Sequence, residues 1–367
     1  MKKKSTQFRW LVTMLLFVTA MAMPKMAWAE ITPQQPSGNG TSADPYQIGT
    51  PEELYWFAAL VNGTLTDVKQ NTSACAVLLK DITVNENLLS SKLDENDEPK
   101  DNVNIESWTP FGYSDVTYSG TFDGKGHSIN GLYCKQSETI SVSFCGVIKD
   151  GIIKNIAILD SYFEGKTQVG GILGISLGSS IILNCLFSGT VKGIDYVGGI
   201  SGACYASTLF SDSFCNAKIV SSGSYIGGIC GASAYASTQL ENCVYNNNLF
   251  GGNAITWFFD AGTVENVTSM TTDDIASGKA TYWLNRYQFG DGIGWHQNID
   301  NGKTKDAYPV LDNTHGVVYT SQPCPSSGTF SNTKPSSSEV QHSWDTDNVC
   351  TNCGTAYIIT LYILDRP

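Results

Sequence analysis

Apolar and polar residues alternate in short bursts along most of this chain, and the bursts return at a fixed interval. The run V-G-G-I-L-G from Val169 to Gly174 comes back as V-G-G-I-S-G from Val197 to Gly202 and as I-G-G-I-C-G from Ile226 to Gly231, at steps of 28 and 29 residues. A second phase travels with it: Asn155-Ile156, Asn184-Cys185, Phe214-Cys215 and Asn242-Cys243 each head a polar and apolar alternation. Two phases repeating together define one structural unit, copied. Alternation as in Ile153, Ile156 and Ile158, punctuated by glycine and serine, has the period of a half-buried strand, and each glycine of a box would cost a helix roughly 1 kcal/mol. About 28 residues accommodate three short strands and three turns, so that each coil buries its inner side chains on the next. The pattern predicts an all-β chain folded as a right-handed parallel β-helix. The box glycines are expected at corners that need positive φ and close approach of the neighbouring backbone.

The repeat zone runs over residues 105–270, with Phe144 to Ile148 and Phe250 to Gly252 as degenerate outer copies. Ahead of it, residues 30–48 read as a Pro, Gly, Ser and Gln-rich linker, and 49–104 as an N-terminal cap holding the clearest helix. Thr50 is its N-cap, Pro51 its first residue, Glu53 completes a capping box and Asn62-Gly63 ends it, with Leu54, Phe57, Ala58 and Val61 on one face. Asp94-Glu95-Asn96-Asp97-Glu98 lacks the alternating ligands and turning glycine of a calcium loop and reads as a solvated insertion. Residues 271–320, with a helical pattern broken at Gly278, are expected to close the other end of the core. Residues 321–367 form a small terminal module.

The G-G-I-x-G boxes resemble the GLUG motif of bacterial cell-surface proteins. The segments Gly49 to Gly63, Trp108 to Gly112, Ser119 to Ile129, Trp295 to Gln297 and Tyr308 to Leu311 are similar to those that surround such repeats. The resemblance spans about residues 40 to 320 and implies a surface-exposed β-helix without assigning an activity.

Residues 1–29 read as a secretory signal, with five basic residues, an apolar run from Trp10 to Ala22 and an Ala27-Trp28-Ala29 cleavage site. The run is shorter than the roughly 20 residues a bilayer span takes, so no integral membrane segment is expected once the signal is removed. Removal leaves 17 basic against 34 acidic residues, a net charge of −17, which argues against nucleic acid as a partner. Of the 11 cysteines, Cys185, Cys215 and Cys243 share a repeat phase and are expected to stack as an inward ladder of free thiols, since stacked side chains point the same way and bridge poorly.

Candidate chemistry is sparse. Gly174-Ile175-Ser176-Leu177-Gly178 matches G-x-S-x-G without the strand-turn-helix elbow that pattern needs. Asp123-Gly124-Lys125-Gly126-His127 reads as a tight turn. Asp160, Glu164, Asp195 and Asp212 stand at unmatched phases, so a polysaccharide-active enzyme, lyase or glycoside hydrolase, is the lesser reading. Tyr162, Tyr196, Tyr205, Tyr225 and Tyr235 recur around the boxes and suggest a surface for a glycan or a surface protein. The sequence therefore points to a secreted or cell-surface structural or adhesive protein. In the terminal module, Cys350-x2-Cys353 with His342 and Cys324 supplies four ligands suited to a structural zinc ion in a zinc-ribbon-like site.

Overall fold

The computed structural model describes residues 31–113, 115–233, 238–258, 262–286, 294–300, 305–320 and 329–334. They form a parallel β-solenoid whose longest ladder has eight rungs: Tyr46–Ile48, Ala76–Leu78, Thr121–Asp123, Ile152–Val169, Ser180–Gly193, Thr208–Ser211, Gln239–Glu241 and Thr263–Glu265. A second parallel sheet stacks Cys145–Ile148, Leu173–Ser176, Ser201–Cys204, Cys230–Ser233 and Ile255–Phe258. The glycine boxes are in register, Val169 opposite Val197 and Val197 opposite Ile226, as their spacing predicts. Inside the coil the side chains form columns, one running Phe122, Ile153, Ile182, Phe210, Leu240 and another Ile82, Ile129, Ile158, Phe187, Cys215, Tyr245. All belong to one continuous buried core.

The stack begins earlier than the repeat zone suggests. The stretch read as a linker ends in the strand Tyr46–Ile48, which pairs with Ala76–Leu78. These rungs carry no glycine box, so repetition could not reveal them. The first helix, α1, spans Pro51–Asn62 with Gly63 left-handed behind it. Thr50 Oγ1 accepts from Glu53 N at 3.3 Å, while Glu53 Oε2 accepts from Gly49 N at 2.7 Å, a capping box reaching back one residue further than expected. Its buried face joins the main core, with Phe57 edge-on to Phe111, Tyr118 and Phe122.

Two expectations about the coil are corrected. None of the box glycines has a left-handed φ; at the corner that recurs from coil to coil the residue that does is Asn155, Asn184, Asp212 or Asn242. Glycine is needed in the boxes for close approach alone: a Cβ on Gly171 would lie 2.1 Å from the Phe187 ring, and one on Gly199 would lie 2.1 Å from Cys215 Sγ. The thiol ladder also fails. Cys215 stands opposite Phe187, whereas the Cys185 column continues through Ser213 to Cys243, so Asp212-Ser213 rather than Phe214-Cys215 is the copy of Asn184-Cys185. All eight cysteines among the described residues are free thiols and seven are buried.

The outer faces of the coil matter as much as the inner ones. Leu186 lies between the inward Cys185 and Phe187, so it faces out, and with Ala157, Phe214 and Val244 it forms an outward apolar column. Helices α2 (Thr272–Ala276) and α3 (Lys279–Arg286), with Trp295 and Leu311, bury that column. These elements therefore pack along the flank of the solenoid, because strands apolar on both faces must be covered on both. On another face, Tyr133 and Tyr162 point outward beneath Leu88 and Leu93 of the insertion after Thr83. Asp160 is the extra residue of a bulge, with φ 46°, and its carboxylate accepts from Leu88 N at 2.7 Å and Leu89 N at 3.0 Å, pinning the insertion's helical turn.

Candidate functional site

The outward column of the second sheet is treated differently. Val147, Ile175 and Ala203 are buried there, with the half-buried Tyr196 and Tyr205 packed against them. Tyr196 stacks on Tyr225 with centroids 4.7 Å apart and planes 17° apart, and Tyr225 leans on Trp257 at 5.7 Å. Tyr205 meets Tyr196 edge-on at 6.5 Å, and its hydroxyl accepts from Gln168 Nε2 at 3.4 Å. Gln168 Oε1 in turn accepts from Ser141 Oγ at 2.8 Å. The result is one strip that crosses successive coils along the stacking direction, polar at Ser141 and Gln168 and aromatic from Tyr205 to Trp257. Coil spacing of about 4.8 Å sets the distance between successive positions.

The register explains the strip. Gln168, Tyr196 and Tyr225 each directly precede the box residues Val169, Val197 and Ile226, which pair in sequence, so they fall in one column at the mouth of the box. Two of them pay a conformational cost: Gln168 has φ 59° and Tyr196 φ 56°. A bulky aromatic residue in the left-handed region is uncommon and costs on the order of 1 kcal/mol or more. At the far end Trp257 is 36% exposed.

The structure disposes of the remaining candidates individually. Tyr162 is fully buried under the insertion and is no part of this surface, and Tyr235 lies outside the described residues. Asp160 is committed to the insertion. Glu164 is buried; burial alone would raise its carboxyl, but the hydrogen bonds from Tyr162 and Ser137 and the charges of Lys135 and Lys192 hold it below its ordinary value. Asp195 accepts from Ser224 N at 2.9 Å, and Asp212 accepts from Ser211 Oγ at 2.9 Å and from the Asn242 amide. Ser176 is buried within a strand and donates to Gly178 O at 3.0 Å, so the G-x-S-x-G match is not an elbow. Asp123 Oδ1 accepts from Lys125 N at 2.9 Å with Lys125 left-handed, as the tight-turn reading requires. The zinc ligands Cys324, His342, Cys350 and Cys353 lie outside the described residues.

Comparisons with known proteins add little that is specific. No family model matches the chain. Halomucin of Haloquadratum walsbyi (strain DSM 16790 / HBSQ001) is 29% identical over 173 residues, which is 45% of this chain and 2% of Halomucin's length. A crystal structure of a candidate immunoglobulin A1 protease from Bacteroides ovatus aligns over 75% of this chain and 94% of that one, at 15% identity and a TM-score of 0.46. Among the described residues, no helix is long and apolar enough to cross a membrane.

Proposed function

We propose that this protein is an extracellular or cell-surface binding module that holds an extended glycan chain along the strip from Tyr205 to Trp257. The observation that carries the proposal is the contrast between outward columns: two are sealed by backbone elements, while this one is lined by half-buried tyrosines and ends on the exposed Trp257. The exposed ring of Trp257 suits the flat apolar face of a sugar ring, and the tyrosine hydroxyls and the amide along the strip suit its hydroxyl groups. The signal-like first 29 residues, the resemblance of the boxes to the GLUG motif, and the likeness to Halomucin support a surface setting.

Binding without turnover is the reading we favour, because the four repeat carboxylates considered for glycoside chemistry are each engaged by the fold and do not flank a common space. A glycan array combined with product analysis on the same sugars tests it: retention of at least one polysaccharide with no cleavage is the expected result, and cleavage of any retained polysaccharide sinks it. The C-x2-C spacing further supports a structural zinc ion held by Cys324, His342, Cys350 and Cys353. Metal analysis of the purified full chain is expected to give about one zinc per molecule, lost in the Cys350→Ser variant; a metal-free chain with intact thiols removes the site.

A further inference from the structure

A cavity of about 360 Å3 lies far from the aromatic strip in sequence and in construction, lined by Lys80, Asp81, Lys125, His127, Asp312 and Thr314, with Gly126, Leu311 and Asn313 completing it. Three distant segments build it. Lys80 and Asp81 follow the second rung, Lys125 to His127 form the tight turn after the third, and residues 311–314 come from the segment that flanks the coil. The size is that of a small-ligand site.

The groups there are of both signs and are unevenly committed. Asp81 Oδ1 accepts from Ser128 N at 2.7 Å and lies 3.6 Å from His127 Nδ1. Asp312 Oδ1 accepts from Thr314 N at 2.8 Å, and that bond heads the influences that hold its carboxyl below the ordinary carboxylate range. Lys125 is paired with Asp123 at 3.1 Å. Lys80 makes no ion pair with any described residue, although the chain as a whole carries a net charge of −12. An ammonium with no ion pair among the described residues, in a cavity it shares with carboxylates that accept hydroxyl protons and an amide and hydroxyl that also donate, is complementary to a ligand with a single negative charge and several hydroxyls. A dianion such as phosphate meets Asp81 and Asp312 at close range and is disfavoured.

We infer that this cavity binds a monosaccharide unit bearing a carboxylate, of the uronic-acid class, with Lys80 on the carboxylate and Asp81, Asp312, Asn313 and Thr314 on the hydroxyls. The site is separate from the aromatic strip and does not rest on the function proposed for it. Calorimetric titration of the full chain with sodium glucuronate, glucose and inorganic phosphate is the test. Glucuronate is expected to bind, with glucose and phosphate each weaker by about tenfold or more, the loss that follows from one charge-assisted hydrogen bond. Lys80→Ala is expected to weaken glucuronate by about tenfold and leave glucose unchanged. Lys80 is exposed, so its removal does not endanger the fold. Glucuronate binding no tighter than glucose or phosphate, or undiminished in Lys80→Ala, overturns the inference.

Discussion

At the scale of single residues, the coil is held by amides where the sequence draws attention to glycines. Asn155 Nδ2 donates to Asp123 Oδ1 at 3.0 Å, and Asn184 Nδ2 donates to Asn155 Oδ1 at 3.0 Å, so a buried chain of hydrogen bonds climbs the stack at its left-handed corners. Asn tolerates that backbone conformation better than other non-glycine residues, and its side-chain N–H group donates to the corner residue of the coil before it. Asn184→Ala is expected to lower the unfolding free energy by about 2 to 3 kcal/mol, and Asn184→Gly by less, because glycine relieves the backbone while still losing the bond. Urea titration of the two variants measures the difference; equal losses contradict the role given to φ. Tyr196 is the functional counterpart, and Tyr196→Gly is expected to stay within about 1 kcal/mol of the parent in stability while weakening glycan binding.

At the scale of elements, the second sheet, the box register and α1 with both its caps were readable from the sequence, because each rests on local rules of period and capping. Thr50→Ala is expected to cost about 1 kcal/mol for the same reason. The flank was legible only in part. Ile156-Ala157-Ile158, Cys185-Leu186-Phe187 and Cys243-Val244-Tyr245 are apolar without a break, which marks a strand covered on both sides, but nothing local says that α2, α3, Trp295 and Leu311 are the cover. The misplaced thiol ladder has a comparable cause. Only the cysteine of Phe214-Cys215 matches Asn242-Cys243, while Asp212, the true corner, differs from asparagine only in its side-chain terminus. Asp160, likewise, became intelligible only when the bulge aimed it at the insertion. Asp160→Ala is expected to release that insertion, so that limited proteolysis cuts within residues 84–107 in the variant and leaves the parent whole; equal resistance of the two contradicts the docking.

At the scale of the whole molecule, the buried thiols make stability depend on alkaline pH. Burial pushes Cys134, Cys215 and Cys243 from the ordinary 9.0 up to about 12. Folded-state values above the unfolded ones mean that their contribution is complete below pH 9 and fades as pH rises towards 12, so the urea midpoint is expected to fall across that window. The aromatic strip is likewise a property of the assembled stack, since its members come from separate coils and meet only through register. It is also where the account is most exposed to refutation. The decisive measurement titrates the glycan retained on the array into the parent and into the double variant Tyr225→Ala/Trp257→Ala, with circular dichroism to verify the fold. The account predicts unchanged β structure and an affinity reduced by at least about tenfold, in line with the loss of two central aromatic anchors. Equal affinity in the folded variant, or an array that retains no glycan at all, contradicts it.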